Sequence, residues 1–147
     1  MTMIKTIAAL AAAATLGLAS LAIAQDAPAV EETYKDIETT LGVVPSHFKA
    51  YPRTAIAGAW SMTRDLLFAE GNALEPKVKS LISLAVAAQI PCQYCIWLET
   101  KSARAGGATD EEIAEAVAQA AYVRHWSTVL NGMQIDFETF KTEFGGD

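Results

Sequence analysis

The chain has 147 residues, 52% of them hydrophobic, and carries 17 acidic against 11 basic side chains, for a net charge of −6. That balance argues against nucleic acid and anionic lipid as partners, since both require a basic footprint. The length suits a single domain with one modest core.

Lys5 is followed by an apolar run from Ile7 to Ala24, which closes on Ala22-Ile23-Ala24 before Gln25-Asp26. A short basic start, an apolar centre and small residues before the break predict a secretory signal peptide over 1–24, cleaved after Ala24. A retained membrane anchor is the competing reading. The run is near the lower length for spanning, contains Gly17 and Ser20, and has no basic stop-transfer cluster behind it. The expectation is therefore a periplasmic or secreted protein with no membrane attachment after cleavage. Loss of Lys5 leaves 10 basic against 17 acidic residues, a charge of −7.

Residues 25–30, with Pro28 among small and polar neighbours, read as a flexible leader to a helical domain over 31–147. Glu31 and Glu32 suit the start of a helix that places Tyr34, Ile37 and Leu41 on one face and stops at Gly42. Val43-Val44-Pro45-Ser46-His47-Phe48 turns into a short helical piece closed by Pro52. The next helix is predicted from about Arg53 to Glu70, with a broad apolar face of Ile56, Trp60, Met62, Leu66, Leu67 and Phe68. Pro76 suits the first turn of another, which runs through Val78, Leu81, Ile82, Leu84 and Val86 to Ile90. Apolar nearly all round, it is expected to be the buried centre.

Pro91 breaks that helix, and Cys92 to Ala105 resumes as a new one that Gly106-Gly107 ends. Thr109-Asp110-Glu111-Glu112 has the form of a capping box. The helix behind it should bury Ile113, Ala116, Val117, Ala120, Ala121, Val123 and Trp126. Asn131-Gly132 closes it, and Ile135, Phe137, Phe140 and Phe144 form a last amphipathic segment. No stretch alternates like a strand. The class is all-α, with five to seven helices.

Cys92 and Cys95 are the only cysteines, three residues apart at a helix start. A bridge between them closes so small a loop that it removes little unfolded-state entropy, so stapling is a weak reason for the pair. An exported protein can keep a disulfide, and a thiolate is favoured by the unpaired amides of a first helical turn. Redox chemistry is the better explanation: one sulfur attacks and the other resolves the product as a disulfide. Glu99, one turn past Cys95, can relay protons provided its own proton is shared or shifting. Against this stand two buried cysteines serving only as packing and a solvated Glu99.

The run from Lys77 through Gly132 resembles the carboxymuconolactone decarboxylase family, in its alkylhydroperoxidase D-like (AhpD-like) branch. The resemblance rests on Lys79-Ser80-Leu81-Ile82-Ser83-Leu84-Ala85-Val86-Ala87-Ala88, on Cys92-Gln93-Tyr94-Cys95-Ile96-Trp97, and on Ala103-Arg104-Ala105-Gly106-Gly107-Ala108-Thr109-Asp110-Glu111-Glu112-Ile113. Asp36 to Tyr51, around Leu41-Gly42-Val43-Val44-Pro45, is similar to the lead-in of peroxidase-related members. The resemblance implies an all-α AhpD-like bundle with C-x-x-C at a helix N-terminus, a homo-oligomer, and peroxiredoxin-type activity on hydroperoxides or exchange with protein disulfides. In that scheme Cys95 attacks peroxide and Cys92 resolves, whereas general C-x-x-C chemistry favours the first cysteine as nucleophile. The sequence departs from the family's proton relay at three positions. Ser80 replaces a glutamate, and Tyr94 and Glu99 replace histidines; Glu99 alone keeps suitable chemistry and reach.

His125 is a candidate to stand in for the lost relay, and Trp97 and Trp126 are candidates to line a peroxide pocket. A helix histidine and aromatics at helical spacing more often serve surface, core or interface. A zinc site from Cys92, Cys95, His47 and His125 is disfavoured because the histidines are neither paired nor close in sequence. No metal or cofactor is expected, and an unknown thiol reductant is. The alternative to an oxidoreductase is a non-redox binding or assembly module on the same fold, with the cysteines structural. The decarboxylase reaction is disfavoured because no matching set of polar residues is evident.

Overall fold

The computed structural model describes residues 29–146, and among them it contains seven helices and no strand. The expected signal peptide, 1–24, and leader residues 25–28 lie outside the described residues. The chain divides into two compact units, one up to Glu70 and the other from Gly71 onward.

In the first unit, α1 covers 29–41, α2 Ser46–Ala50 and α3 Ile56–Leu67. The expected leader ends too late: residues 29 and 30 are already helical, and Val30 is buried in a core with Ile37, Phe48, Ile56 and Trp60. Burying that valine offsets the entropy of ordering one more turn. Trp60 meets the ring of Phe48 edge-on and donates its indole N–H to Asp36 Oδ2 at 2.6 Å. Arg64 donates to the same oxygen at 3.0 Å. The Asp36 carboxyl is accordingly held below the usual range, chiefly by the Trp60 hydrogen bond. α3 is shorter than predicted at both ends and buries only Ile56 and Trp60. Met62, Leu66, Leu67 and Phe68, expected on its buried face, are exposed.

In the second unit, α4 spans Pro76–Gln89, α5 Gln93–Ala105, α6 Asp110–Gly132 and α7 Phe137–Glu143. α4 packs along α5 and, less extensively, along α6. Its expected burial on all sides is not observed. Ser80, Leu84 and Ala87 are buried, whereas Val78, Ile82, Val86 and Ile90 are exposed. α6 likewise buries only Ala120; Ile113 and Ala116 are half-buried, and Val117, Ala121, Val123 and Trp126 lie at the surface. On α7 and just before it, Phe137 and Ile135 are exposed, and so is Phe144 just after it. The buried positions explain the difference. Ala87, Ala103 and Ala120 are buried on α4, α5 and α6, and buried residues this small allow helices to pack closely, while larger apolar side chains on α4 and α6 stay exposed.

Two devices position α5 between its neighbours. At its C-terminal end Gly106 lies so close to α4 that a Cβ there would sit 3.1 Å from the Lys77 backbone. Gly107, at φ +88°, then reverses the chain, and Ala108 N–H donates to the Ala103 carbonyl. α6 begins with the capping box read from the sequence. Thr109 Oγ1 accepts from the Glu112 amide at 3.1 Å, and Glu112 Oε2 accepts from the Thr109 amide at 2.9 Å. The other Glu112 oxygen accepts from Lys77 Nζ at 2.8 Å, so one carboxylate both caps α6 and ties it to α4. The Lys77 hydrogen bond and then the Thr109 amide hold its pKa below the usual glutamate range.

No helix among the described residues is long and apolar enough to cross a membrane. Replacing Thr109 with Ala removes one half of the capping box. It should lower stability by about 1 kcal/mol in a urea titration, with Thr109→Ser close to the parent.

Candidate functional site

The turn between α4 and α5 is built around Cys92. Pro91 has no N–H to return to α4, so the next amide, that of Cys92, donates to the Ala87 carbonyl at 3.1 Å and closes the α4 end. The same residue is the N-cap of α5: its carbonyl accepts from Ile96 at 2.9 Å, and its Sγ accepts from the Cys95 amide at 3.2 Å. Cys92 Sγ is bonded to Cys95 Sγ, with the two Cα atoms 5.3 Å apart. Among the described residues no cysteine is free.

The helical repeat sorts the neighbours. Ala103, fully buried, marks the side of α5 that faces the unit. Cys92, Ile96 and Glu99 fall on that side at intervals of four and three residues and are half-buried. Cys95 lies on the flank, also half-buried. Tyr94, Trp97, Leu98 and Lys101 form the opposite, outward stripe.

Glu99 is the chemically informative neighbour. It makes no hydrogen bond or ion pair among the described residues, and burial pushes its carboxyl above the ordinary glutamate pKa. The carboxyl therefore holds its proton to higher pH than an ordinary glutamate, one helical turn past Cys95 in sequence.

The other candidates are dispersed. Ser80 is buried in α4 without a hydrogen bond to either cysteine. Tyr94 is 80% exposed and points to solvent. His125 is exposed on α6, its ring edge-on to Trp126 at 5.2 Å, and its expected role as a relay beside the cysteines receives no contact in support. His47 stacks on Phe48 in the first unit. With both cysteine sulfurs engaged in one bond, no group of three His, Cys, Asp or Glu among the described residues is arranged to hold a metal.

Two features escaped the sequence reading. Gln89, the last residue of α4, donates its amide to the Ala120 carbonyl at 2.8 Å and accepts from Arg124 Nε at 2.8 Å. It fixes the end of α4 to α6 three residues before Cys92. A glutamine closing an otherwise apolar run was the available signal. The second is Lys101, whose ammonium lies 5.3 Å from the centroid of the Trp97 ring. Trp97 and Lys101 border a groove of about 620 Å³ with Gln93, Ile96, Thr100 and Arg104.

The model of the carboxymuconolactone decarboxylase family matches residues 55–136, more than half of the chain. The chain belongs to this family. The alkylhydroperoxidase AhpD core of Rhodospirillum rubrum is similar over 81% of this chain and 90% of its own, at 29% identity and a TM-score of 0.65. The AhpD-like helical fold follows from that likeness. Uncharacterized protein 4 in the cox locus of Paracoccus denitrificans is 41% identical over 70 residues, 48% of this chain. That match spans 62% of the relative's length, under two thirds of it.

Glu99 makes a pH prediction with a definite sign. Its folded-state pKa is raised, so the folded protein binds more protons than the unfolded chain between the ordinary glutamate pKa and the raised value. Stability contributed at this site is therefore highest in acid and falls as pH rises through that window. Glu99→Gln should raise the melting temperature at neutral pH, and the gain should vanish below the ordinary glutamate range. Parallel melting curves across pH would show it.

Proposed function

We propose that this protein is a thiol–disulfide oxidoreductase that reduces hydroperoxides, or exchanges disulfides, through Cys92 and Cys95. The observation that carries the reading is the N-cap arrangement, in which Cys92 Sγ accepts the Cys95 amide within a half-buried disulfide. When the bridge opens, that amide and the helix N-terminus favour a thiolate on Cys92. Cys92 is then the better leaving group in reduction and the better resolving thiolate in oxidation.

Cys95 takes the attacking role. Glu99 accepts the Cys95 thiol proton, and the Cys95 thiolate attacks the terminal oxygen of a hydroperoxide. The O–O bond breaks, the alkoxide leaves as an alcohol with the proton returned by Glu99, and Cys95 becomes a sulfenic acid. The Cys92 thiolate attacks that sulfur, forming the disulfide and expelling hydroxide, which takes up a proton to become water. Two electrons have passed from the dithiol to the peroxide. A second dithiol must restore the pair by disulfide exchange, because the chain has no third cysteine.

Export after a signal peptide and assembly into a homo-oligomer belong to the same proposal. The first is supported by the apolar run ending at Ala24 and the second by the apolar side chains left exposed on α4 and α6. Those exposed faces also favour the second reading, an assembly module with structural cysteines.

Thiol counting separates the two readings. The reduced protein should lose both thiols on treatment with cumene hydroperoxide and regain them with a dithiol. Cys92→Ser should stop at a dimedone-reactive Cys95 sulfenic acid, whereas Cys95→Ser should give little. A reduced protein whose thiols survive both the peroxide and an oxidised dithiol is the module.

A further inference from the structure

Gln89 closes α4 and is the first polar side chain after the apolar run Leu84-Ala85-Val86-Ala87-Ala88. It is half-buried, and α6 engages both ends of its amide. Nε2 donates to the Ala120 carbonyl at 2.8 Å, and Oε1 accepts from Arg124 Nε at 2.8 Å. A carbonyl only accepts and a guanidinium only donates, so a rotated amide would lose both bonds and one orientation alone is admitted. The two partners stand one turn apart on α6, which fixes the Gln89 side chain in rotation as well as in position.

The place of this anchor in the chain gives it leverage on the cysteines. Ile90 and Pro91, the two residues between Gln89 and Cys92, are both exposed. Among the described residues, Gln89 is thus the last side chain before Cys92 with a hydrogen bond to another helix. It also lies inside the loop that the Cys92 amide closes on the Ala87 carbonyl at 3.1 Å. Any shift of that loop against α6 moves the N-cap of α5, where Cys92 Sγ accepts the Cys95 amide at 3.2 Å. Sulfur is a weak acceptor, and hydrogen bonds weaken steeply when misaligned.

We infer that Gln89 is a positioning residue for the cysteine pair: held by Ala120 and Arg124, it sets the α4–α5 turn so that Cys92 caps α5 with its sulfur. The inference rests on the redox reading above and adds to it a residue that hydrogen-bonds to neither sulfur. In that reading the Cys95 amide favours a thiolate on Cys92 once the bridge is open. Loosening the turn withdraws that support and leaves more of Cys92 protonated at a given pH. Arg124 acts by holding the Gln89 amide, not by lending its charge.

The test uses the full chain carrying Cys95→Ser, in which Cys92 is the sole thiol. The rate of its alkylation by iodoacetamide against pH, at about 1 M salt to screen exposed charges, reports the Cys92 thiolate. Gln89→Met keeps the apolar stem and makes neither bond. It should move the profile to higher pH and slow alkylation at neutral pH by about threefold to tenfold. Arg124→Met, at an exposed position, should move it the same way by less, and Arg124→Lys, which can still donate to Oε1, should stay close to the parent. Should Gln89→Met fail to fold, Arg124→Met decides. Thr109→Ala lowers stability at the other end of α6 and should leave the profile in place. The inference is overturned if Gln89→Met leaves the profile unmoved, if Thr109→Ala moves it as far, or if the Arg124→Met shift is present only at low salt. The unsubstituted chain separates this failure from that of the redox reading. If its pair cycles between dithiothreitol and peroxide while the variant profiles coincide, only the role of Gln89 falls. If the pair does not cycle, the redox reading falls and takes this inference with it.

Discussion

The hydrogen bond from the Cys95 amide to Cys92 Sγ is the contact on which the site depends, because it joins backbone structure and sulfur chemistry in the same atoms. Cys92 serves three structural needs at once. Its amide closes the end of α4, its carbonyl starts the hydrogen-bond ladder of α5, and its sulfur caps an amide that would otherwise lack an intrahelical partner. Oxygen-bearing side chains usually fill that last role; a sulfur fills it more weakly and keeps its reactivity.

The packing around the turn places this cap rather than burying it. α4 packs against α5 and α6, and the buried apolar residues of the three helices, Leu84, Ala87, Ala103 and Ala120, are mostly small. Gln89 and the Lys77–Glu112 pair pin α4 to α6 near its two ends. The ion pair is partly solvated and contributes modestly on its own, but its carboxylate is also half of the α6 capping box, so the two contacts support each other. Val78, Ile82 and Val86 stay at the surface. The first unit solves its packing differently, with Ile37, Ile56 and Trp60 in a conventional core and the indole N–H satisfied by Asp36.

The amino-acid sequence by itself determined the helical class, the breaks at Gly42, Pro91 and Gly106-Gly107, the Thr109 capping box and the cysteine pair at a helix start. These are local: a cap, a proline or an i, i+3 spacing acts over one turn, so neighbouring residues suffice to specify it. The environment of Glu99 was open from the same evidence, since a glutamate past a cysteine is equally a solvated residue until its burial is known. Only the tertiary structure decided that it is half-buried and unpaired, that the His125 ring lies edge-on to Trp126, and that the apolar run of α4 is buried along one seam instead of all round. Hydrophobicity states that a side chain gains by leaving water, not which neighbour takes it in, and that choice is made by how closely two helix axes approach.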